Sequence, residues 1–224
     1  MPRQEAVAML TVEGPSPEVS KQLSCLTYIV RSVLDGPNAN NKSNPERFCL
    51  LVHGPGGCGK SVVTRAAAHL LREANKGVVL AAPTGVAAFN VNGATLHSCL
   101  LLPVVNQSYG KACDVPLPRG EQLACLQSFW KYVDVALVDE MSFISSEMLD
   151  RMDRHLRMAR NAPLIPFGGV HLALIGDLYQ LPPPAGAELD LQSKQRAAAK
   201  ASAITETDVA RRSSHIRFSV LGAL

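Results

Sequence analysis

The stretch FCLLVHGPGGCGKSVVTRAAAHLL, residues 48–71, holds three patterns in succession. Phe48 to Val52 is wholly apolar, as a short strand buried on both faces should be. Gly54 to Gly59 is glycine-rich. Val62, Val63, Ala66, Ala67, Leu70 and Leu71 then recur at the spacing of one helix face, which predicts a helix over 61–74. The junction itself, Gly54-Pro55-Gly56-Gly57-Cys58-Gly59-Lys60-Ser61, fits G-x-x-x-x-G-K-[ST]. A polyphosphate is a dense negative charge, and a loop whose backbone N–H groups converge on it needs residues tolerant of unusual φ and ψ. The helix that starts at Lys60 adds partial positive charge at its N-terminus. In this arrangement Lys60 reaches the β- and γ-phosphates and the Ser61 hydroxyl ligates Mg²⁺. A chance glycine-rich turn is the competing reading, but the strand before and the helix after are the context the motif demands.

A second site follows downstream. Val135-Ala136-Leu137-Val138-Asp139-Glu140 is an apolar strand ending in two acids. A lone acid pair at a strand end is ordinarily a helix cap or turn former. Paired with a phosphate loop roughly 80 residues upstream, Asp139 is placed to hold Mg²⁺ through water opposite Ser61, and Glu140 to polarise the attacking water.

Further strands are expected at 78–82 and 171–175, and helices at 19–34, after Gly120, and around Met148 to Ala159 with an N-cap at Ser145 or Ser146. Apolar strands alternating with amphipathic helices give an α/β fold, a mostly parallel sheet with helices on both faces. Ligands in such sheets sit at the carboxyl ends of the strands. Four or five strands are expected, with the Phe48 strand central and beside the Asp139 strand. Residues 101–126 have a loop-like middle and carry no assigned chemistry.

Composition narrows the class. The chain has 224 residues, enough for one ordinary domain with a core. At 47% hydrophobic residues it is not a disordered chain. A net charge of +3 does not by itself point to nucleic acid. The six cysteines include no CxxC pair, and several sit in apolar runs, which suggests buried free thiols in a reducing compartment. Residues 77–110 lack Asp, Glu, Lys and Arg, but Pro83, Gly85, Asn90, Asn92 and Gly93 interrupt them. They read as buried strand, loop and short helix rather than a membrane span.

The narrower class comes from Gly176-Asp177-Leu178-Tyr179-Gln180-Leu181-Pro182-Pro183, where a strand ends in Gly-Asp and a Gln follows. A Gln there can hydrogen-bond a γ-phosphate; a Pro-rich turn is the bland alternative. Together with GPGGCGKS, VDEMS, and Ala82-Pro83-Thr84-Gly85-Val86-Ala87-Ala88 followed by Gly93-Ala94-Thr95-Leu96-His97-Ser98, this segment resembles the petite-integration-frequency (PIF-one-type) DNA helicases. These belong to superfamily one and are relatives of the bacterial RecD motors. The resemblance runs over about residues 19–184.

The resemblance implies a RecA-like lobe of the P-loop NTPase class, ATP as substrate, Mg²⁺ as its metal and single-stranded DNA as partner. Lys60, Glu140 and Gln180 would be catalytic. Gln22, with Gly54, Pro55, Gly56, Gly57, Cys58, Gly59, Lys60 and Ser61, would bind ATP, Gln22 as an adenine reader or else a solvated helix residue. Ser61 and Asp139 would hold the metal. Thr84, Gly85 and His97 would line the DNA path, although a core or capping histidine is an equal reading of His97. Phe89 is a base-stacking candidate, with core packing the stronger expectation. A nuclear or mitochondrial setting in genome maintenance, and 5′ to 3′ polarity, also follow from the resemblance.

Residues 1–18 read as a loose leader, 19–184 as the lobe, and 185–224 as a divergent tail, helical or poorly ordered, with a strand only near 215–221. Family members carry a second lobe with an arginine finger, which can contribute about 10³ to 10⁵ in rate. The tail shows no match to it, Pro184 stands where the family has Val, and Arg211 and Arg212 have no assigned place. The chain thus reads as a truncated motor. The alternative is a lone lobe that binds nucleotide and DNA without productive turnover. An AAA-type remodelling ATPase is disfavoured, because the strand after the acid pair leads to GDLYQLPP rather than a polar sensor and helical lid.

Overall fold

A computed structural model describes residues 17–34, 49–102, 117–177, 180 and 218–221. In chain order the elements are α1 (Pro17–Leu34), β1 (Cys49–His53), α2 (Lys60–Glu73), β2 (Val78–Ala82), α3 (Gly85–Asn90), β3 (Ala94–Thr95), α4 (Leu96–Leu100), α5 (Gly120–Trp130) and β4 (Val135–Val138). After β4 come a 3₁₀ turn (Met141–Phe143), α6 (Ser146–Ala159), a second 3₁₀ turn (Pro166–Gly169), β5 (His171–Gly176) and β6 (Phe218–Leu221). The expected parallel α/β sheet is present, and every pairing in it is parallel.

The sheet has six strands in the order β3-β2-β4-β5-β1-β6. Two expectations are corrected. The sheet is larger than four or five strands, because β3 is a two-residue edge and Phe218–Leu221, inside the segment set apart from 185 onward, pairs with β1. And β1 is not beside the Asp139 strand: β5 lies between β1 and β4. Two inter-strand steps separate β1 from β4 by about 10 Å. Apolar patterning says that a strand is buried but not which neighbour it takes, and all three strands are equally apolar.

The strands read as continuous apolar runs because helices cover both faces. One face packs Leu50, Val52, Leu137, Ala173 and Ile175 against α1 and α2, through Cys25, Leu26, Ile29, Val63, Ala67 and Leu71. The other packs Leu51, Val138, Leu172 and Leu174 against α4, α5 and α6, with Trp130, Met152 and Leu156. Helix α2 is rotated from the expected face: Val62 is exposed, while Thr64 and Ala68 are buried. Ser145 caps α6, its hydroxyl accepting from Met148 N at 3.1 Å. Trp130 is buried with its indole N–H donated to Cys99 O at 2.8 Å, so α5 is pinned to α4. Among the described residues no helix is long and apolar enough to cross a membrane.

The carboxyl ends of the three middle strands meet at Gly176. Gly54 N donates to Gly176 O at 3.1 Å as the chain leaves β1. From the other side the chain leaving β4 passes so close that a Cβ on Gly176 would lie 2.7 Å from Met141 N. The segments after β1 and after β4 therefore converge over the end of β5.

Candidate functional site

That convergence brings the two polar sequence motifs together. The loop after β1 runs across the end of β5 and starts α2 at Lys60, with Gly59 in the left-handed region at φ 84°. Ser61, in the first turn of α2, donates its hydroxyl to Asp139 Oδ2 at 2.8 Å. Asp139 is 3% exposed, and its other oxygen accepts from Glu140 N at 3.0 Å. The loop arcs over an intervening strand, so a residue that follows β1 and one that follows β4 share one hydrogen bond.

Lys60 folds over the same loop. Its ammonium donates to Gly54 O at 2.7 Å and Pro55 O at 2.8 Å and lies 3.8 Å from Cys58 Sγ. Gln22, on α1, donates its amide to Cys58 O at 2.8 Å. Gln180 reaches the loop as well, since a Cβ on Gly56 would sit 3.4 Å from its Nε2. Gln22, the 54–61 loop, Asp139, Glu140 and Gln180 thus surround one spot at the carboxyl end of the sheet.

Glu140 stands at φ 57°, ψ 49°, a left-handed conformation uncommon for a residue with a Cβ. Such strain persists where the surroundings enforce it and clusters at functional sites. Burial raises its carboxyl above the ordinary value; Asp139 and Asp177 add to this and Lys60 opposes it. A carboxylate held toward its neutral form by burial and like charge is a better proton acceptor than an exposed one.

Thr84, Gly85 and His97 lie apart from this cluster, beyond β4 on the β2–β3 side of the sheet. Thr84 caps α3, its hydroxyl accepting from Ala87 N at 3.2 Å, and Gly85 is the first residue of that helix. Thr95 caps α4 in the same manner, accepting from Ser98 N at 3.2 Å. His97 is half-buried, and burial, then the Arg151 guanidinium, lowers its pKa. Phe89 does not pack in the core as expected: it is 80% exposed on α3, beside exposed Val86. A six-residue helix turns only Ala87 and Ala88 inward, which leaves the larger side chains facing out.

Several neighbours escaped the sequence reading. His53 Nδ1 lies 3.8 Å from Asp177 Oδ1, joining the ends of β1 and β5. His155 is buried with Nδ1 2.8 Å from Leu100 O. Thr95 could have been found from its capping pattern ahead of Ser98; the two histidines carried no local signal. Cys49 and Cys99 are buried free thiols, as their apolar settings suggested, and Cys25 is a third.

The geometry agrees with what comparison with known proteins finds. The family model for PIF1-like helicase matches residues 25–210. The chain is 28% identical over 202 residues to the ATP-dependent DNA helicase RRM3 of Saccharomyces cerevisiae, covering 82% of this chain and 27% of that protein. It is 35% identical over 136 residues to the ATP-dependent DNA helicase PIF4 of Trypanosoma brucei brucei, covering 59% of this chain and 16% of that protein. The Bacteroides Pif1 helicase solved in complex with ADP-AlF3 and ssDNA superposes with a TM-score of 0.54 at 25% identity, over 78% of this chain and 36% of that one. The chain therefore spans about a quarter or less of these two curated relatives. With its glycine-rich loop, acid pair and parallel sheet in this arrangement, the chain belongs to the PIF1-like helicase family.

Proposed function

We propose that this chain is the ATP-binding lobe of a DNA helicase that couples Mg·ATP hydrolysis to 5′ to 3′ movement on single-stranded DNA in genome maintenance. The observation that carries this reading is the 2.8 Å hydrogen bond from Ser61 to Asp139. A hydroxyl and a carboxylate at this separation are the hard oxygen donors that Mg²⁺ takes alongside phosphate and water. The metal, when bound, would neutralise charge on the β- and γ-phosphates.

The chain's own groups supply the rest. Backbone amides of residues 54–61 cradle the phosphates, and Lys60 exchanges the carbonyls of Gly54 and Pro55 for phosphate oxygens. Glu140 takes a proton from the attacking water, aided by its raised pKa. Gln180, already beside Gly56, reports the γ-phosphate. Gln22 touches the edge of the loop through Cys58 O and suits a contact to the base. On the other side, the Thr84 and Thr95 helix starts offer backbone and hydroxyl groups to a phosphate chain, as sequence-independent binding requires. Gly85 permits close approach there, and His97 borders it. The Bacteroides neighbour, solved with a nucleotide analogue and ssDNA, supports both ligands.

A second reading rests on the single six-stranded sheet formed by the described residues. A lobe of this kind binds nucleotide without turning it over if the charge-neutralising arginine comes from elsewhere. Nucleotide binding and ATP turnover, each measured with and without single-stranded DNA, separate the two. The motor reading expects DNA-stimulated turnover that Lys60→Ala abolishes. Binding with negligible turnover favours the lone lobe, and no nucleotide binding by the intact chain rejects both.

A further inference from the structure

We propose that Cys58 and Cys25 form a reversible oxidation site, in which a hydroperoxide converts the two thiols to a disulfide that closes the phosphate loop to nucleotide. Its effect on nucleotide rests on the reading given above; the formation of the bond does not.

Four placements support it. Cys58 occupies the phosphate loop itself and is partly accessible. Its sulfur lies 3.8 Å from the Lys60 ammonium, beside the start of α2. Cys25 stands three residues after Gln22, one helical turn along the same face of α1. Gln22 already holds Cys58 O at 2.8 Å, so this face of α1 is docked on the loop. Cys25 itself belongs to the buried cluster that includes Val63 and Ala67, on the first two turns of the helix that the loop leads into. The charge of Cys58 is felt at Cys25, whose pKa burial and that charge raise to about 11. The pair is thus unequal: one accessible sulfur beside an ammonium, and one buried sulfur that stays protonated.

This inequality assigns the steps. The Cys58 sulfur attacks the terminal peroxide oxygen; an S–O bond forms, the O–O bond breaks, and the thiol proton leaves with the displaced oxygen as an alcohol or water. Cys25 then gives up its proton as its sulfur attacks the Cys58 sulfenic acid. An S–S bond forms, the S–O bond breaks, and water leaves. In sum, two thiols and one hydroperoxide yield one disulfide, water, and the alcohol or a second water. Gly57, at φ 79° with open space around its missing Cβ, gives the loop freedom to bring Cys58 inward. A disulfide within a reducing compartment is expected to be transient and regulatory rather than structural.

The experiment treats the intact chain with hydrogen peroxide, maps cysteine linkages by mass spectrometry, and follows binding of a fluorescent ADP in parallel. A Cys25–Cys58 linked peptide is expected, together with at least a tenfold loss of nucleotide affinity that dithiothreitol restores. In Cys25→Ala, nucleotide binds as in the wild type before treatment. After treatment Cys58 runs on to the sulfinic acid, and dithiothreitol no longer restores binding. Cys125→Ser, which removes an exposed thiol, should behave as wild type. The proposal is overturned if Cys58 links to another cysteine, if no linked peptide forms while Cys58 is oxidised, or if Cys58 does not react. A linked peptide with unchanged ADP binding would keep the bond but reject the nucleotide reading of the loop. Should Cys25→Ala fail to fold, the wild-type linkage map alone decides.

Discussion

Gly59→Ala should destabilise the fold through two separable effects. Gly59 has φ 84°, in the left-handed region, and holding alanine there costs about 1–2 kcal/mol. The new Cβ would also stand 2.5 Å from Gln22 Nε2, closer than real Cβ contacts. Gln22 is a flexible side chain and can swing away, but then loses its hydrogen bond to Cys58 O, worth about 1 kcal/mol. The single substitution should therefore cost about 2–3 kcal/mol by the sum of these two principles. Gln22→Ala removes the same hydrogen bond and should cost about 1 kcal/mol. In the double variant the bond is lost once and the clash has no partner. Its cost stays at about 2–3 kcal/mol instead of the additive 3–4, a coupling of about −1 kcal/mol. Urea unfolding of the four proteins, with m-values unchanged, gives each number. Additivity within about 0.3 kcal/mol would refute the contact between α1 and the loop.

Three other predictions concern Glu140, Phe89 and Gly77. Because burial raises the Glu140 carboxyl above 4.5, the folded state holds this proton more tightly than the unfolded chain. Stability then falls as pH rises from about 4.5 through the raised value. Glu140→Gln should accordingly be more stable than wild type at pH 7, with the gain vanishing below pH about 4.5, while turnover drops about 10²- to 10⁴-fold with ADP affinity little changed; unfolding titrations across pH and steady-state ATP hydrolysis check both. Phe89→Ala, at a side chain 80% exposed, should leave stability within about 0.5 kcal/mol yet weaken single-stranded DNA binding by about 1–3 kcal/mol, read by fluorescence anisotropy; unchanged DNA affinity would remove the stacking role. Gly77→Ala places a Cβ against Tyr132 O, a backbone atom that must move, so thermal unfolding should show a loss of about 1–3 kcal/mol.

Most of the candidate site was legible because its residues are local. A loop of eight consecutive residues between strand and helix, and two acids closing a strand, declare themselves by order alone. What joins them was not legible. That β5 runs between β1 and β4 depends on pairing among three strands of like composition, and no residue in Cys49–His53 or Val135–Val138 distinguishes the neighbours. The contact of Gln22 with Cys58 spans 36 residues, and the His53–Asp177 pair joins the ends of two strands far apart in sequence. Phe89 failed for a different reason. Its residue type argued for burial, but α3 is too short to bury more than two alanines.

The missing side chain at position 176 has a consequence for how mutations should distribute across this molecule. Its carbonyl tethers the strand exit before the glycine-rich loop, while its bare α-carbon faces the amide of Met141. Even a methyl group there would press on Met141 and wedge the two halves of the site apart. Gly176→Ala should therefore lower activity and, because the atom met is backbone, thermal unfolding should show a loss of stability as well.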